Sequence, residues 1–345
     1  MHTSDRPADG GAHDGTHDGA PLADQRAART DGRLLIAVLV LMFIAAGLAL
    51  SAVQHPRPPV EHRIQPSPFG YSWSTALFVL PGIALCVWLL RHPLLRLQRK
   101  AFLIGSAMII PIWCGLDIVL GRTFFVFPNA GATLGINAWG WKPGEGWATA
   151  IPIEEFVFYV GGVIAIQLCY IWSSESWLSA YRVPDATRRL MTGTRLHRPH
   201  WGAIGVGAVL FMLAWVYKAY VAQSPGIPGY FLFLLISSLI PVGIFFRVVR
   251  PFINWQAFAY TMTLLVLVSL LWEVTLGLPY GYWDYNTHHM VGIFVRPWNN
   301  LPVEEPVLWV TAAWINVILY ELIYFLLATG QPIRRVLMPR SGTTT

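Results

Sequence analysis

Apolar residues along this chain gather into runs of about twenty, separated by short stretches rich in Arg, Pro and Gly. A nearly uncharged run of that length makes a helix long enough to cross a hydrocarbon layer about 30 Å thick. Eight runs meet the criterion, at about 34–53, 74–91, 101–120, 153–172, 202–221, 229–246, 256–276 and 304–327. The pattern predicts an all-α fold, a polytopic membrane bundle of about eight transmembrane helices. Residues 1–32 lack apolar periodicity and are rich in Gly, Ala, Asp and His, so a disordered tail is expected there. Its length and polarity do not suit the n-region of a cleaved signal peptide, so the first run is expected to stay as a span.

Charge tests the count. With the N-terminus placed in the cytoplasm, 17 of the 24 Lys and Arg fall on the cytoplasmic side and 6 on the other, with Arg6 left aside in the tail. That asymmetry follows the positive-inside rule and fits eight spans with both termini cytoplasmic, in a cell (plasma or inner) membrane. The net charge of +6 therefore belongs to membrane topology, and no nucleic-acid partner is expected.

The runs repeat. Pro152/Pro302, Glu154/Glu304, Glu155/Glu305, Val157/Val307, Val160/Val310 and Tyr170/Tyr320 match at one offset. The helices before them match at another, pairing Phe102/Phe258, Asp117/Glu273, Leu120/Leu276 and Gly121/Gly277. Four spans per repeat is an even number, so the halves are expected to be two parallel four-helix repeats related by an axis along the membrane normal. The organisation read from this is a tail at 1–32, a first repeat at 33–178, a basic cytoplasmic linker at 179–199, a second repeat at 200–330 and a C-terminal tail at 331–345.

Both copies of Pro-x-Glu-Glu open a helix on the non-cytoplasmic side, where the preceding helix brings Asp117 or Glu273. Proline and acids both suit a helix start, which is reason enough for one copy. Two copies, each facing a further acid at membrane depth, point to function, because ionisable groups there are costly. Adjacent residues on a helix point about 100° apart, so one glutamate of each pair faces the bundle interior squarely. Crowded carboxyls in apolar surroundings resist full ionisation, and a neutral acid can protonate a base as weak as an alkene.

Aromatic residues crowd the same level: Phe124, Phe125, Phe127, Trp139, Trp141 and Trp147 in one half, Trp272, Tyr280, Tyr282, Trp283, Tyr285 and Trp298 in the other. An interfacial belt accounts for many of them. Their excess on the acid side suits cation stabilisation as well. Glu321, about 25 Å along its helix from Glu304, is expected at the opposite interface, and Lys218 is expected to snorkel. His288 and His289 lack the spacing of a helical metal pair, and no metal is expected. Cys86, Cys114 and Cys169 lie within apolar runs and read as small hydrophobes.

These residues resemble the heterodimeric-type carotenoid cyclases in fused form, the membrane lycopene cyclases. The likeness rests on "WEV…GYWDYN…VGI…NLPVEEPVLW" in the second half, and on Asp117 with "IPIEEFVFY" in the first. It covers about residues 75–175 and 230–330. The first half lacks the Trp-x-aromatic-Asn spacing of the second, and Pro306 stands where the family has an aromatic residue. The resemblance implies an isomerase (an intramolecular lyase) without net redox. An acid protonates the terminal double bond of a linear carotenoid, an internal double bond closes a six-membered ring, and a carboxylate removes a ring proton, giving products of the γ- or β-carotene type. On this basis Glu154 and Glu304 are expected as principal acids, Glu155 and Glu305 as their supports, and Asp117 and Glu273 as relays. Trp147, Phe156, Trp272, Trp283, Tyr285 and Trp298 are expected to bind the substrate. No cofactor is expected, since no dinucleotide fingerprint follows a strand. The partners implied are a lipophilic linear carotenoid in the bilayer and other enzymes of carotenoid synthesis.

The alternatives are a C50 carotenoid cyclase of the same family, a proton-coupled transporter, a membrane prenyltransferase and a non-enzymatic scaffold. A transporter's acids would lie at the midplane between broken helices. A prenyltransferase would carry Asp-rich clusters on its helices, and a scaffold would tolerate Glu-to-Gln in both motifs.

Overall fold

The computed structural model describes residues 67–190 and 200–330. The expected tail at 1–32, the expected span at 34–53, residues 191–199 and the stretch 331–345 lie outside these residues. Seven helices among the described residues are long and apolar enough to cross a membrane: α1 (Gly70–Arg91), α2 (Arg96–Phe124), α3 (Ile153–Glu175), α5 (Trp201–Val221), α6 (Gly229–Val249), α7 (Trp255–Gly277) and α8 (Glu304–Thr329). A short helix, α4 (Asp185–Leu190), follows α3. The chain is a multi-pass helical membrane protein. Each of the seven expected spans in the described region is present, and α2 runs several residues further at both ends than its apolar stretch suggested, because Arg96, Arg99 and Lys100 continue the helix beyond it.

The architecture departs from all-α in its connections. Three two-stranded antiparallel ribbons fill the loops on the acid side. β1 (Phe125–Val126) pairs with β4 (Asp284–Tyr285), β2 (Asn137–Lys142) with β3 (Gly146–Pro152), and β5 (Phe294–Val295) with β6 (Leu301–Pro302). The β1–β4 ribbon ties the loop after α2 to the loop after α7. Asn286 strengthens the tie, its backbone and side-chain N–H groups donating to the carbonyls of Phe124 and Thr123.

α3 and α8 form the centre of the bundle, and they pack on each other as well as on α2 and α7. α1 lies on α3 in the first half as α6 lies on α8 in the second. α5 packs on α6 and is the most exposed of the seven, with a uniformly apolar surface. Helices that face lipid on most sides carry no amphipathic signal, which is why the spans were legible as runs and their packing order was not.

The end of the bundle opposite the acids is closed by polar clamps. Glu321 on α8 is buried, not interfacial. It accepts hydrogen bonds from Arg188 Nη1 at 2.6 Å and Tyr170 Oη at 2.7 Å. Arg188 also donates to the Phe252 carbonyl and lies over the rings of Tyr324 and Phe252. Arg188 came with the expected cytoplasmic linker. Its helix α4 instead packs on α8, so at least residues 185–190 belong to the bundle. Burial alone would lower the Arg188 basicity, yet Glu321 holds it above its ordinary value. Lys218 is likewise buried and does not snorkel. Its Nζ donates to the Met290 carbonyl at 2.6 Å and to Ser224 Oγ at 3.2 Å, holding the loop after α7.

Candidate active site

The acids that opened the sequence question are all buried: Asp117, Glu154, Glu155, Glu273, Glu304 and Glu305. They separate into two kinds. Glu155 and Glu305 point inward and, with Glu273, line a cavity whose other walls are Tyr71, Phe125, Phe158, Tyr159, Trp272, Trp283, Leu308 and Trp309. Glu154 and Glu304 point outward to the loops. Glu154 Oε1 accepts from Leu134 N at 2.7 Å and from Ser72 Oγ at 2.5 Å. Glu304 Oε1 accepts from Val291 N at 2.5 Å. The first glutamate of each motif thus staples the preceding loop onto the start of its own helix. Glu154 and Glu304, expected as principal acids, thus face the loops, and their expected supports Glu155 and Glu305 face the cavity. Adjacent residues on a helix diverge by about 100°, and here the second of each pair takes the interior.

Two similar clusters meet at the cavity. In the first half, Tyr71 Oη donates to Glu155 Oε1 at 2.5 Å, and Tyr159 Oη lies 3.4 Å from Asp117 Oδ1. In the second, Tyr230 Oη donates to Glu305 Oε1 at 3.1 Å and Trp309 Nε1 donates to Glu273 Oε1 at 2.6 Å. Tyr159 and Trp309 stand four residues after their glutamates, on the same face of the helix, and each reaches the acid of the neighbouring helix. The clusters differ in the donor that reaches the acid of the neighbouring helix, the Tyr159 hydroxyl in one and the Trp309 indole in the other. Asp117 Oδ2 and Glu273 Oε2 are buried without a hydrogen-bond partner.

The backbone of α7 aims Glu273. Its last turn, Glu273–Gly277, is a π-turn, a feature that re-directs side chains and recurs at functional sites. Gly277 lets the Trp283 indole close on this turn; a β-carbon there would sit 2.4 Å from the ring. Trp283 then stacks near Trp272 at 4.6 Å and Tyr71 at 5.4 Å. Trp272 meets Phe158 at 5.2 Å and Phe78 at 5.1 Å, so an aromatic box drawn from both halves stands beside the acids. No wall residue is a cation.

The expected substrate contacts divide. Trp272 and Trp283 line the cavity. Tyr285 is buried just behind it, its Oη taking the Trp283 Nε1–H at 3.3 Å and its ring meeting Phe125. Burial, then the nearby Glu305 and Glu273, push its phenol well above the ordinary value. Trp147, Phe156 and Trp298 do not reach the cavity. Trp147 is exposed on the β2–β3 hairpin against Trp141, Phe156 is half-buried on α3, and Trp298, in the turn between β5 and β6, is half-buried against the core. The residues that sequence reasoning missed are Tyr71, Tyr230, Phe158, Tyr159 and Trp309. The i, i+4 spacing from each inner glutamate could have found Tyr159 and Trp309. Nothing local marks Tyr71 and Tyr230, which arrive by packing of α1 and α6.

Comparison of the chain with known protein families, with curated proteins and with solved structures finds no match.

The cavity is narrow, about 30 Å³, the room of one water. Beyond it lies an open apolar groove of about 620 Å³ lined by Gly70, Trp73, Leu77, Leu80, Leu276 and Tyr282. Tyr282 stacks on Tyr71 at 5.6 Å, so this ring pair stands between groove and cavity.

Proposed function

We propose that this protein is a carotenoid cyclase of the lycopene cyclase type, an isomerase that closes rings at the ends of a linear carotenoid by proton addition and removal. The observation that carries the reading is the meeting of Glu155, Glu273 and Glu305 in one aromatic-walled cavity with no cation on its wall, with Asp117 against the wall residue Tyr159. Three carboxylate charges there would be unbalanced at low dielectric, so the cluster is built to hold protons. An acid so placed can protonate a terminal alkene, and the faces of Trp272, Trp309 and Phe158 can stabilise the cation and keep water from it.

On this reading the inner glutamates do the chemistry with Asp117 and Glu273 beside them, while Glu154 and Glu304 shape the loops. The groove beside Tyr282 would take the polyene. An engineered cavity of about 150 Å³ is needed for benzene, so a ring-forming end is admitted only when Tyr71, Tyr282 and their neighbours part. The matched clusters support two parallel repeats of four spans, with the acid side outside, both termini cytoplasmic and the chain in the cell's plasma or inner membrane.

The test is a pigment profile. The full chain is expressed in a bacterial host that accumulates lycopene, and the extracted carotenoids are separated. Monocyclic or bicyclic carotene is the expected result. Unchanged lycopene, with the protein present in the membrane, rejects lycopene as substrate and moves the same test to a linear C50 carotenoid. No cyclic product from either rejects the cyclase reading.

A further inference from the structure

Resting on the cyclase reading, we infer that Tyr71 couples entry of the substrate to release of Glu155: its ring closes the cavity against the groove, and its hydroxyl ties the glutamate that the entering end must meet. Both roles are contacts of one side chain. Tyr71 is buried and forms part of the cavity wall. Its ring lies 5.6 Å from that of Tyr282, nearly parallel at 7°, and Tyr282 lines the groove. Its Oη donates to Glu155 Oε1 at 2.5 Å. The cavity has the room of one water, so the end of a linear carotenoid reaches the inner glutamates only if a wall gives way. The rest of the polyene would lie in the groove, which is open, apolar and separated from the cavity by this ring pair. Swinging Tyr71 out of the wall takes its hydroxyl from Glu155. An empty site therefore keeps Glu155 tied, and an occupied one frees it to face the substrate.

The turn that carries Tyr71 suits this part. Gly70–Ser74, the first turn of α1, is set off from Ala76–Arg91 by Thr75, and no side chain caps it. A single turn has little of its own to hold it. Its side-chain ties are Tyr71 to Glu155 and Ser72 Oγ to Glu154 Oε1, each at 2.5 Å. Just ahead of it the Ser67 and Tyr282 hydroxyls meet at 3.1 Å. Gly70 allows that approach, since a β-carbon there would sit 2.3 Å from the Tyr282 oxygen. The second half is built differently. Tyr230 donates to Glu305 Oε1 at 3.1 Å, but its ring packs among Phe124, Phe125 and Phe233 and forms no part of the cavity or groove wall. The two tyrosines hold equivalent glutamates, and Tyr71 is the one that stands in the path.

The experiment places the full chain in phosphatidylcholine vesicles carrying increasing mole fractions of lycopene. Binding is read from quenching of tryptophan emission by the polyene, and turnover from the extracted carotenoids. In Tyr71→Phe the ring stays and the tie is gone, so the open fraction rises and the apparent affinity with it. Half-saturation of binding and KM are expected to fall about five- to tenfold, the worth of one hydrogen bond, with kcat changing less. Tyr230→Phe loses the matching bond away from the path and is expected to lower kcat and not the half-saturation. Tyr282→Leu opens the ring pair from the groove side and is expected to lower the half-saturation as well; it stands in where Tyr71→Phe fails to reach the membrane. A loss of kcat in Tyr71→Phe at unchanged half-saturation makes its hydroxyl part of the chemical step and overturns the coupling. So does an equal fall in half-saturation in Tyr230→Phe. Lycopene that binds the wild type and forms no ring overturns the cyclase reading, and the binding comparison then decides the gate by itself.

Discussion

The separation of inner from outer glutamates yields a contrast within each motif. Glu305→Gln removes the titratable proton from the cavity, and loss of a general acid costs about 10²- to 10⁴-fold in rate, about 3 to 5 kcal/mol of barrier. Glu304→Gln acts elsewhere. Its carbonyl oxygen can still accept the Val291 N–H now bonded at 2.5 Å, but its NH₂ replaces Oε2, which is buried without a partner. An orphaned buried donor costs about 1–3 kcal/mol of stability and leaves the cavity chemistry in place. Glu155→Gln and Glu154→Gln form the matching pair in the first half, with both Leu134 N and Ser72 Oγ still served in the latter. The assay is carotenoid turnover per unit of membrane-inserted protein, with thermal unfolding of the purified protein read alongside. The outer variants should keep turnover within about tenfold and lose stability, and Glu305→Gln should do the reverse. If Glu304→Gln loses turnover as deeply as Glu305→Gln at normal membrane level, the argument from side-chain direction is refuted.

Three further outcomes are expected. Glu321→Gln leaves Arg188 buried without its counter-charge and should cost about 3–5 kcal/mol, whereas the double variant Arg188→Met with Glu321→Leu should cost less than either single change; equal losses in a denaturation series would contradict this. Gly277→Ala drives a methyl into the Trp283 ring and should lose about 1–3 kcal/mol with a shift in tryptophan emission, since the indole must leave Trp272; an unchanged melt and spectrum would count against the close approach. Tyr285 should remain un-ionised at pH 10, so the wild type and Tyr285→Phe should show the same tyrosinate absorbance there. The sign for stability follows, because the unfolded chain binds fewer protons than the folded one above about pH 10, so the Tyr285 contribution falls as pH rises.

Membrane character, the seven spans of the described residues and the level of the acids could be read from residue order alone. Each depends on local quantities: the length of an apolar run, the charge of a loop, the distance of Asp117 or Glu305 from a helix end. The helix period also required that one glutamate of each pair turn inward. It could not say which, because that depends on how α3 and α8 are rotated against their neighbours, and those helices are apolar nearly all round. Packing made that choice. It brought Tyr71 and Tyr230 from helices far away in sequence, placed Trp272 against Phe158 across the halves, and opened a π-turn at Glu273 that no local propensity marks. It also buried Lys218 and Glu321, which composition had assigned to the interfaces, because a carbonyl in one case and Arg188 in the other were waiting where the chain folds back. Long-range partners decide whether a charge is solvated or enclosed, and only the tertiary structure supplies them.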